Sequence, residues 1–166
     1  MRTALISIGS NQNDPQQQVV KAFEALQDMF GSITISSLYE TQPVGMNSDA
    51  PFINAAAVIQ TEMTATDLLD RLLRLERESG RLRDKAAGYQ SRPLDLDIIL
   101  MDDAIIEDGV QIPHPRFRER RFVLEPSAEI ASRMTDPVTG QSILELLNTC
   151  ADPNWVKKIE AALEVI

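Results

Sequence analysis

The run Leu94-Asp95-Leu96-Asp97-Ile98-Ile99-Leu100-Met101 sets the first constraint on the fold. As a strand it carries Asp95 and Asp97 on one face and Leu94, Leu96 and Ile98 on the other, because side chains alternate along extended backbone. One face must pack on a core, while the other presents two carboxylates ~6.6 Å apart at ~3.3 Å per residue. Placed side by side without a cation, the two would repel. Together they can converge on a hard cation, and magnesium commonly takes one or two carboxylates plus substrate phosphates. The same spacing also suits an antiparallel strand with one wet face, where both carboxylates are simply solvated.

The remaining elements follow from periodicity and punctuation. Residues 3–9 read as a strand, closed by a turn at Gly9-Ser10-Asn11. Asp14-Pro15 opens a helix along Val19, Phe23, Leu26 and Phe30, which Gly31 ends. Ile33 to Tyr39 reads as a second strand, residues 41–51 as a loop, and Phe52 to Thr61 as a third, buried strand. Thr64 and Asp67 form a capping pair for a helix bearing Leu68, Leu69, Leu72, Leu73 and Leu75, up to Gly80. Ile105 to Ile112 suggests a short hairpin around Asp108-Gly109. Helical segments are expected at 116–131, 142–149 and 153–164. The order strand, helix, strand, strand, helix, strand predicts an α+β fold: a ferredoxin-like antiparallel sheet with helices packed on it and a mostly helical C-terminal tail. No linker or repeat divides the chain, so residues 1–166 read as a single domain.

Composition narrows the function. A net charge of −9 argues against a general nucleic-acid or anionic-membrane binder. Eleven of the sixteen Lys and Arg residues nevertheless fall in two segments, 71–92 and 116–121. Arg71, Arg74 and Arg77 interleave with Glu76 and Glu78 and read as a solvated helix face. Arg81, Arg83 and Arg92 lie on or beside a loop, a placement that favours binding an anion through their planar forks. The single histidine, His114, sits in Ile112-Pro113-His114-Pro115 beside the second segment. One cysteine, Cys150, excludes an intramolecular disulfide and a cysteine-based zinc cluster. No signal peptide or membrane span is legible, so a cytoplasmic location is expected. The P-loop and G-x-G-x-x-G patterns and the G-x-S-x-G nucleophile elbow are all missing.

Taken in order, the motifs resemble those of the 6-hydroxymethyl-7,8-dihydropterin pyrophosphokinase family. The matching pieces are Ile8-Gly9-Ser10-Asn11, Ser37-Leu38-Tyr39-Glu40-Thr41 and Phe52-Ile53-Asn54-Ala55. Glu76 with Gly80-Arg81-Leu82-Arg83 and Ser91-Arg92-Pro93-Leu94-Asp95-Leu96-Asp97 follow. Ile112-Pro113-His114-Pro115 and Arg120-Arg121-Phe122-Val123-Leu124-Glu125-Pro126 complete the set.

The resemblance implies pyrophosphate transfer from ATP to the hydroxymethyl group of 6-hydroxymethyl-7,8-dihydropterin, giving AMP and the pterin diphosphate. It implies that Asp95 and Asp97 hold two Mg2+ ions with ATP bound, and that Arg81, Arg83 and Arg92 join them in catalysis. The ATP side would comprise Glu76, Arg81, Arg83, Tyr89, Arg92, Ile98, His114 and Arg120. The pterin side would comprise Thr41, Gln42, Pro43, Val44, Gly45, Phe52, Asn54, Asp95 and Phe122, with the two rings sandwiching the substrate. Tyr89 replaces the tryptophan of a common Trp-Gly-Pro run, Pro115 stands where an aromatic is frequent, and Leu73 where a polar residue can read adenine. Residues 81–92 would close over bound ATP as a lid, and a monomer with no nucleic-acid or membrane partner is expected. Two other readings share parts of the pattern: a nucleotidyltransferase or cyclase with a ferredoxin-like palm, and a non-catalytic ligand-sensing module.

Overall fold

The computed structural model of the chain describes residues 1–12, 14–42, 51–79 and 94–159. Its elements are β1 (Arg2–Ser10), α1 (Pro15–Phe30), β2 (Thr34–Ile35), β3 (Tyr39–Thr41), β4 (Phe52–Thr61), α2 (Ala65–Glu78) and β5 (Asp95–Met101). A 3-10 turn (Phe117–Glu119), α3 (Arg121–Ala131), α4 (Ile143–Asn148) and β6 (Val156–Lys158) follow. The strands lie in the order β5-β1-β4-β3-β6, with β2 also paired to β4, and every pairing is antiparallel. Without β6 this is the ferredoxin-like arrangement expected from the sequence. Among the described residues, no helix is long and apolar enough to cross a membrane.

The sheet is covered on both faces. Ala4, Ile6, Ile8, Leu94, Leu96 and Ile98 pack against Val19, Phe23 and Leu26 of α1 and Leu68 and Leu72 of α2. Each large side chain fully buried in this way stabilises the fold by ~1.5–3 kcal/mol relative to exposure. On the opposite face Leu5, Ala56, Ile99 and Leu100 pack against Val123 and Leu124 of α3 and Ile143 and Leu146 of α4. The helical tail is thus a second layer, not an appendage.

Three local readings are corrected. The predicted strand 33–39 is broken into β2 and β3, because Ser36 takes over the ladder: its N–H donates to the Ala56 carbonyl (2.9 Å) and its hydroxyl accepts the Ala56 N–H (2.8 Å). The turn expected at Gly9 is absent: β1 continues to Ser10, with Gly9 opposite Asn54. The helix expected at 153–164 is absent from its described part, where β6 adds to the edge of β3. Asp14-Pro15 starts α1, with the Asp14 carboxylate accepting the Gln17 N–H. Asp152-Pro153 starts no helix, since the Asp152 carboxylate accepts the N–H of Arg121, at the first position of α3 (3.0 Å). α3 has no side-chain cap from its own N-cap residue, Arg120, and takes one from Asp152, 31 positions after Arg121. The hairpin at 105–112 is present as a single bridge between Ile106 and Ile112 around Gly109, whose φ is 82°.

Three carboxyls that tie distant segments together lie below their ordinary pKa range. Burial pushes Asp136 up, but hydrogen bonds from Arg118, Thr139 and the Val138 N–H outweigh it. The same balance lowers Glu129, held by Tyr39 and Ser37, and Asp152, held by Asn154 and the Arg121 N–H. A carboxyl lowered on folding contributes stability that is complete above its unfolded value (~3.9 for Asp, ~4.3 for Glu) and lost as pH falls through the folded one. Urea midpoints should therefore hold between about pH 7 and 5 and drop below about pH 4. Asp136→Asn should cost ~2–4 kcal/mol at neutral pH and remove part of that acid dependence. A midpoint that rises between pH 5 and 3 would contradict the assignment.

Candidate active site

Along the face covered by α3 and α4, the side chains change character from one end to the other. At the covered end they are Leu5, Ala56 and Ile99. At the other end β1 offers Ser7 and Gly9, β4 offers Asn54 and Phe52, β3 offers Thr41, and β5 offers Asp95 and Asp97. These residues, with Gln42, Arg116, Arg120 and Phe122, line a cavity of about 330 Å³. The apolar end anchors α3, and the polar end is left open beneath the start of that helix.

Asp95 and Asp97 stand half-buried on one side of β5, opposite Gly9 and Ser7, with Leu96 and Ile98 buried on the other. β5 is the sheet's edge, so the amide of Leu96, between the two aspartates, points away from the ladder. It donates to the Glu76 carboxylate at 2.7 Å. The sequence reading interleaved Glu76 with the solvated arginines of α2. The structure puts it on the buried stripe of Ala65, Leu68 and Leu72, at 2% exposure. Arg71, Arg74 and Arg77 are exposed, as expected. Further along β5 the register shifts between Leu5 and Ile6 of β1, and the Ile99 carbonyl accepts the His114 N–H (3.0 Å). The aspartate segment is thereby held from outside the sheet at its middle and just beyond Asp97.

Asn54 is placed with similar care. Its amide donates to the Thr41 hydroxyl at 2.7 Å, and its oxygen lies only 2.8 Å from where a Cβ on Gly9 would sit. Glycine here allows a side chain to lie flat on the neighbouring strand. Phe122, in the first turn of α3, carries the Arg120 guanidinium 5.6 Å from its ring centroid. His114 is half-buried and does not line the cavity. Burial first, then the charge of Arg120, holds its pKa below the ordinary value, against an opposing pull from Asp95. Its Nδ1 accepts the Arg116 N–H (3.1 Å), so the proton of the neutral ring is on Nε2, a donor suited to an anion.

Of the residues expected at the site, the cavity thus gathers Asp95, Asp97, Thr41, Gln42, Phe52, Asn54, Arg120 and Phe122. Ile98 instead packs in the core on the α1 and α2 side. Pro43, Val44, Gly45, Arg81, Arg83, Tyr89 and Arg92, with the proposed lid, lie outside the described residues. Ser7, Gly9 and Arg116 were missed as lining residues. Ser7 was visible as a polar interruption of an apolar strand, and Arg116 as a member of the second arginine segment.

Residues 5–132 match the family model described as 7,8-dihydro-6-hydroxymethylpterin-pyrophosphokinase, or HPPK. The chain belongs to that family. A Haemophilus influenzae relative, 2-amino-4-hydroxy-6-hydroxymethyldihydropteridine pyrophosphokinase, is 39% identical over 160 residues, covering 95% of this chain and 98% of its own. A Bacillus subtilis protein of the same name is 39% identical over 141 residues, covering 82% and 83%. The HPPK fold recurs in the crystal structure of Plasmodium falciparum HPPK-DHPS with pteroate. There the TM-score is 0.70 at 14% identity, over 89% of this chain and 42% of that one.

The contact between Gly9 and Asn54 gives a direct test. A methyl at position 9 should push the Asn54 amide off Thr41 and cost about 1–2 kcal/mol, because the ~0.5–1 kcal/mol preference of a strand for Ala over Gly only partly offsets the loss of a buried hydrogen bond. In Gly9→Ala the Asn54 side-chain amide protons, protected from exchange in the parent, should exchange freely by NMR. Unchanged protection would show that Gly9 does not set this side chain.

Proposed function

We propose that this chain transfers the pyrophosphoryl group of ATP to the hydroxymethyl oxygen of 6-hydroxymethyl-7,8-dihydropterin, as a step of folate biosynthesis, and that it does so in this cavity. The observation that carries the reading is a slot with aromatic residues, Phe52 and Phe122, an amide on its floor, Asn54, and a pair of carboxylates at its side. A flat heteroaromatic ring gains from stacking on such faces, ~0.5–1.5 kcal/mol per ring pair beyond the buried area. Asn54 offers a donor and an acceptor to the polar edge of a pterin. The fixed tether to Thr41 leaves that amide in one orientation.

With the ring held, the hydroxymethyl group falls toward β5. Its oxygen attacks the β-phosphorus of ATP, the bond from that phosphorus to the α-phosphate oxygen breaks, AMP leaves and the hydroxyl proton is released. Such a transfer needs positioning and charge neutralisation more than a protein nucleophile. Asp95 and Asp97 fit magnesium: they supply hard oxygen donors on one strand face and leave the remaining positions to water and phosphate. When bound, two such ions would offset the charge of the triphosphate and of the attacking oxygen. Arg116, Arg120 and neutral His114 add donors on the far side, and Arg81, Arg83 and Arg92 are assigned to the same phosphates by their place in the family motifs. Action as a monomer is part of this proposal, and a reducing cytoplasm suits the lone Cys150.

Incubation with ATP, Mg2+ and the hydroxymethyl dihydropterin should yield AMP and the pterin diphosphate in equal amounts. Asp97→Ala should abolish most of this turnover while shifting the urea midpoint by less than ~1 kcal/mol, because a half-exposed carboxylate contributes little to stability. Release of pyrophosphate instead of AMP would favour a nucleotidyltransferase, and near-parental turnover in Asp97→Ala would remove the metal assignment.

A further inference from the structure

The two walls of the cavity come from elements that are distant in sequence. One wall is the start of α3, with Arg120 and Phe122; the other is the end of β3, with Thr41 and Gln42. Toward its far end α3 is tied to Tyr39 of β3 and to Ser37 through the Glu129 carboxylate; at the cavity end the segment after α4 joins the two walls. At one end, the Asp152 carboxylate accepts the N–H of Arg121, the residue between Arg120 and Phe122 (3.0 Å). The Arg121 side chain returns the contact, its Nε donating to the Asp152 carbonyl (3.2 Å) and a terminal nitrogen to the Cys150 carbonyl (3.0 Å). At the other end, the Gln42 N–H donates to the Trp155 carbonyl (3.1 Å), and the Trp155 N–H donates to the Gln42 side-chain oxygen (3.2 Å). From there β6 runs along β3, pairing Val156 with Thr41 and Lys158 with Tyr39.

Three residue steps separate Asp152 from Trp155, and a chain that short spans at most ~11 Å. Asn154 stiffens it: its backbone N–H (3.0 Å) and side-chain amide (2.7 Å) both donate to the other Asp152 oxygen. The segment is therefore a short, internally braced link whose two ends grip the residues flanking the cavity. The Thr41 wall carries Phe52, its partner on β4, and a ring stacked between Phe52 and Phe122 is sensitive to their separation, because dispersion is lost steeply with a gap of even ~0.5–1 Å.

We propose that residues 150–158 act as a strap that sets the distance between the Phe122 wall and the Thr41–Gln42 wall, with Asp152 as a positioning residue for pterin binding. This rests on the reading of the cavity as the pterin site. The aspartate pair on β5 is fixed independently, through Glu76 and His114, so the strap acts on the ring substrate more than on the nucleotide, which meets this wall through Arg120 alone.

The test is steady-state kinetics of the full chain with each substrate varied in turn. Asp152→Ala should raise the KM for the hydroxymethyl dihydropterin by about ten-fold, on the scale of one lost cap and buried hydrogen bond, and leave the KM for ATP within about two-fold. Asp152→Asn keeps an oxygen for the Arg121 N–H but loses the brace from Asn154, and should recover part of the pterin KM. If Asp152→Ala does not fold, Arg121→Ala, which removes only the guanidinium contacts, is read by the same criterion. Parental KM values for both substrates, or equal rises in both, overturn the strap, as does an Asp152→Asn loss equal to that of alanine. Failure of the parent enzyme to turn over the pterin would instead overturn the reading of the cavity, a distinguishable result.

Discussion

The hydrogen bond from the Leu96 amide to the buried carboxylate of Glu76 is the contact on which the site depends. An edge strand has free N–H and C=O groups on one side, and a strand bearing two aspartates cannot hide that side in apolar packing. α2 solves the problem by carrying a carboxylate at the position its apolar stripe would next fill. Leaving that carboxylate buried without partners would cost several kcal/mol, so strand and helix are locked in one relative placement. Leu94 and Leu96 point into the core beside the same helix, while Asp95 and Asp97 point into the cavity. Core packing and site geometry are thus two faces of a single strand.

The cavity itself arises because a sheet face changes composition along its strands. Large apolar residues at one end bind α3 and α4; glycine, serine, asparagine and aspartate at the other leave room and polarity. Gly9 illustrates the economy of the arrangement. Its missing side chain is the space in which the Asn54 amide lies, and Thr41 then fixes which way that amide points. Three adjacent strands, β1, β4 and β3, each supply one part of the cavity floor. The far wall is carried by α3, which is capped by Asp152 at its start and held near its end by Glu129, which accepts bonds from the Tyr39 hydroxyl (2.6 Å) and Ser37. Burial and the Glu129 contact together push the Tyr39 hydroxyl's pKa well up, so it stays a donor throughout the physiological range.

Much of this was legible in the sequence wherever the controlling interaction is local. The alternation at 94–98 gave the face of the aspartates, Asp14-Pro15 and Thr64 gave helix starts, and the order of elements gave the sheet. What escaped was set by side chains that satisfy backbone far away. Glu76 reaches Leu96 across 20 residues, and Asp152 reaches Arg121 across 31. Locally, Glu76 reads as one more charge on an arginine-rich helix, and Asp152-Pro153 as one more helix start. Ser36 breaks a strand for a reason that only its partner Ala56 reveals. Phe52 and Phe122 had the look of ordinary core residues, and only their membership in an ordered set of family motifs marked them as the walls of a site.

The central claim is that one sheet face binds the pterin between Phe52 and Phe122 on Asn54 and turns the phosphates toward Asp95 and Asp97. A crystal structure of the protein with the hydroxymethyl dihydropterin, Mg2+ and a non-hydrolysable ATP analogue measures this directly. The account predicts the pterin ring stacked between the two phenylalanines with its polar edge on the Asn54 amide, and metal ions bonded to both aspartates and to phosphate oxygens. A pterin bound elsewhere, or phosphates with metal that leave Asp95 and Asp97 uncoordinated, would contradict it.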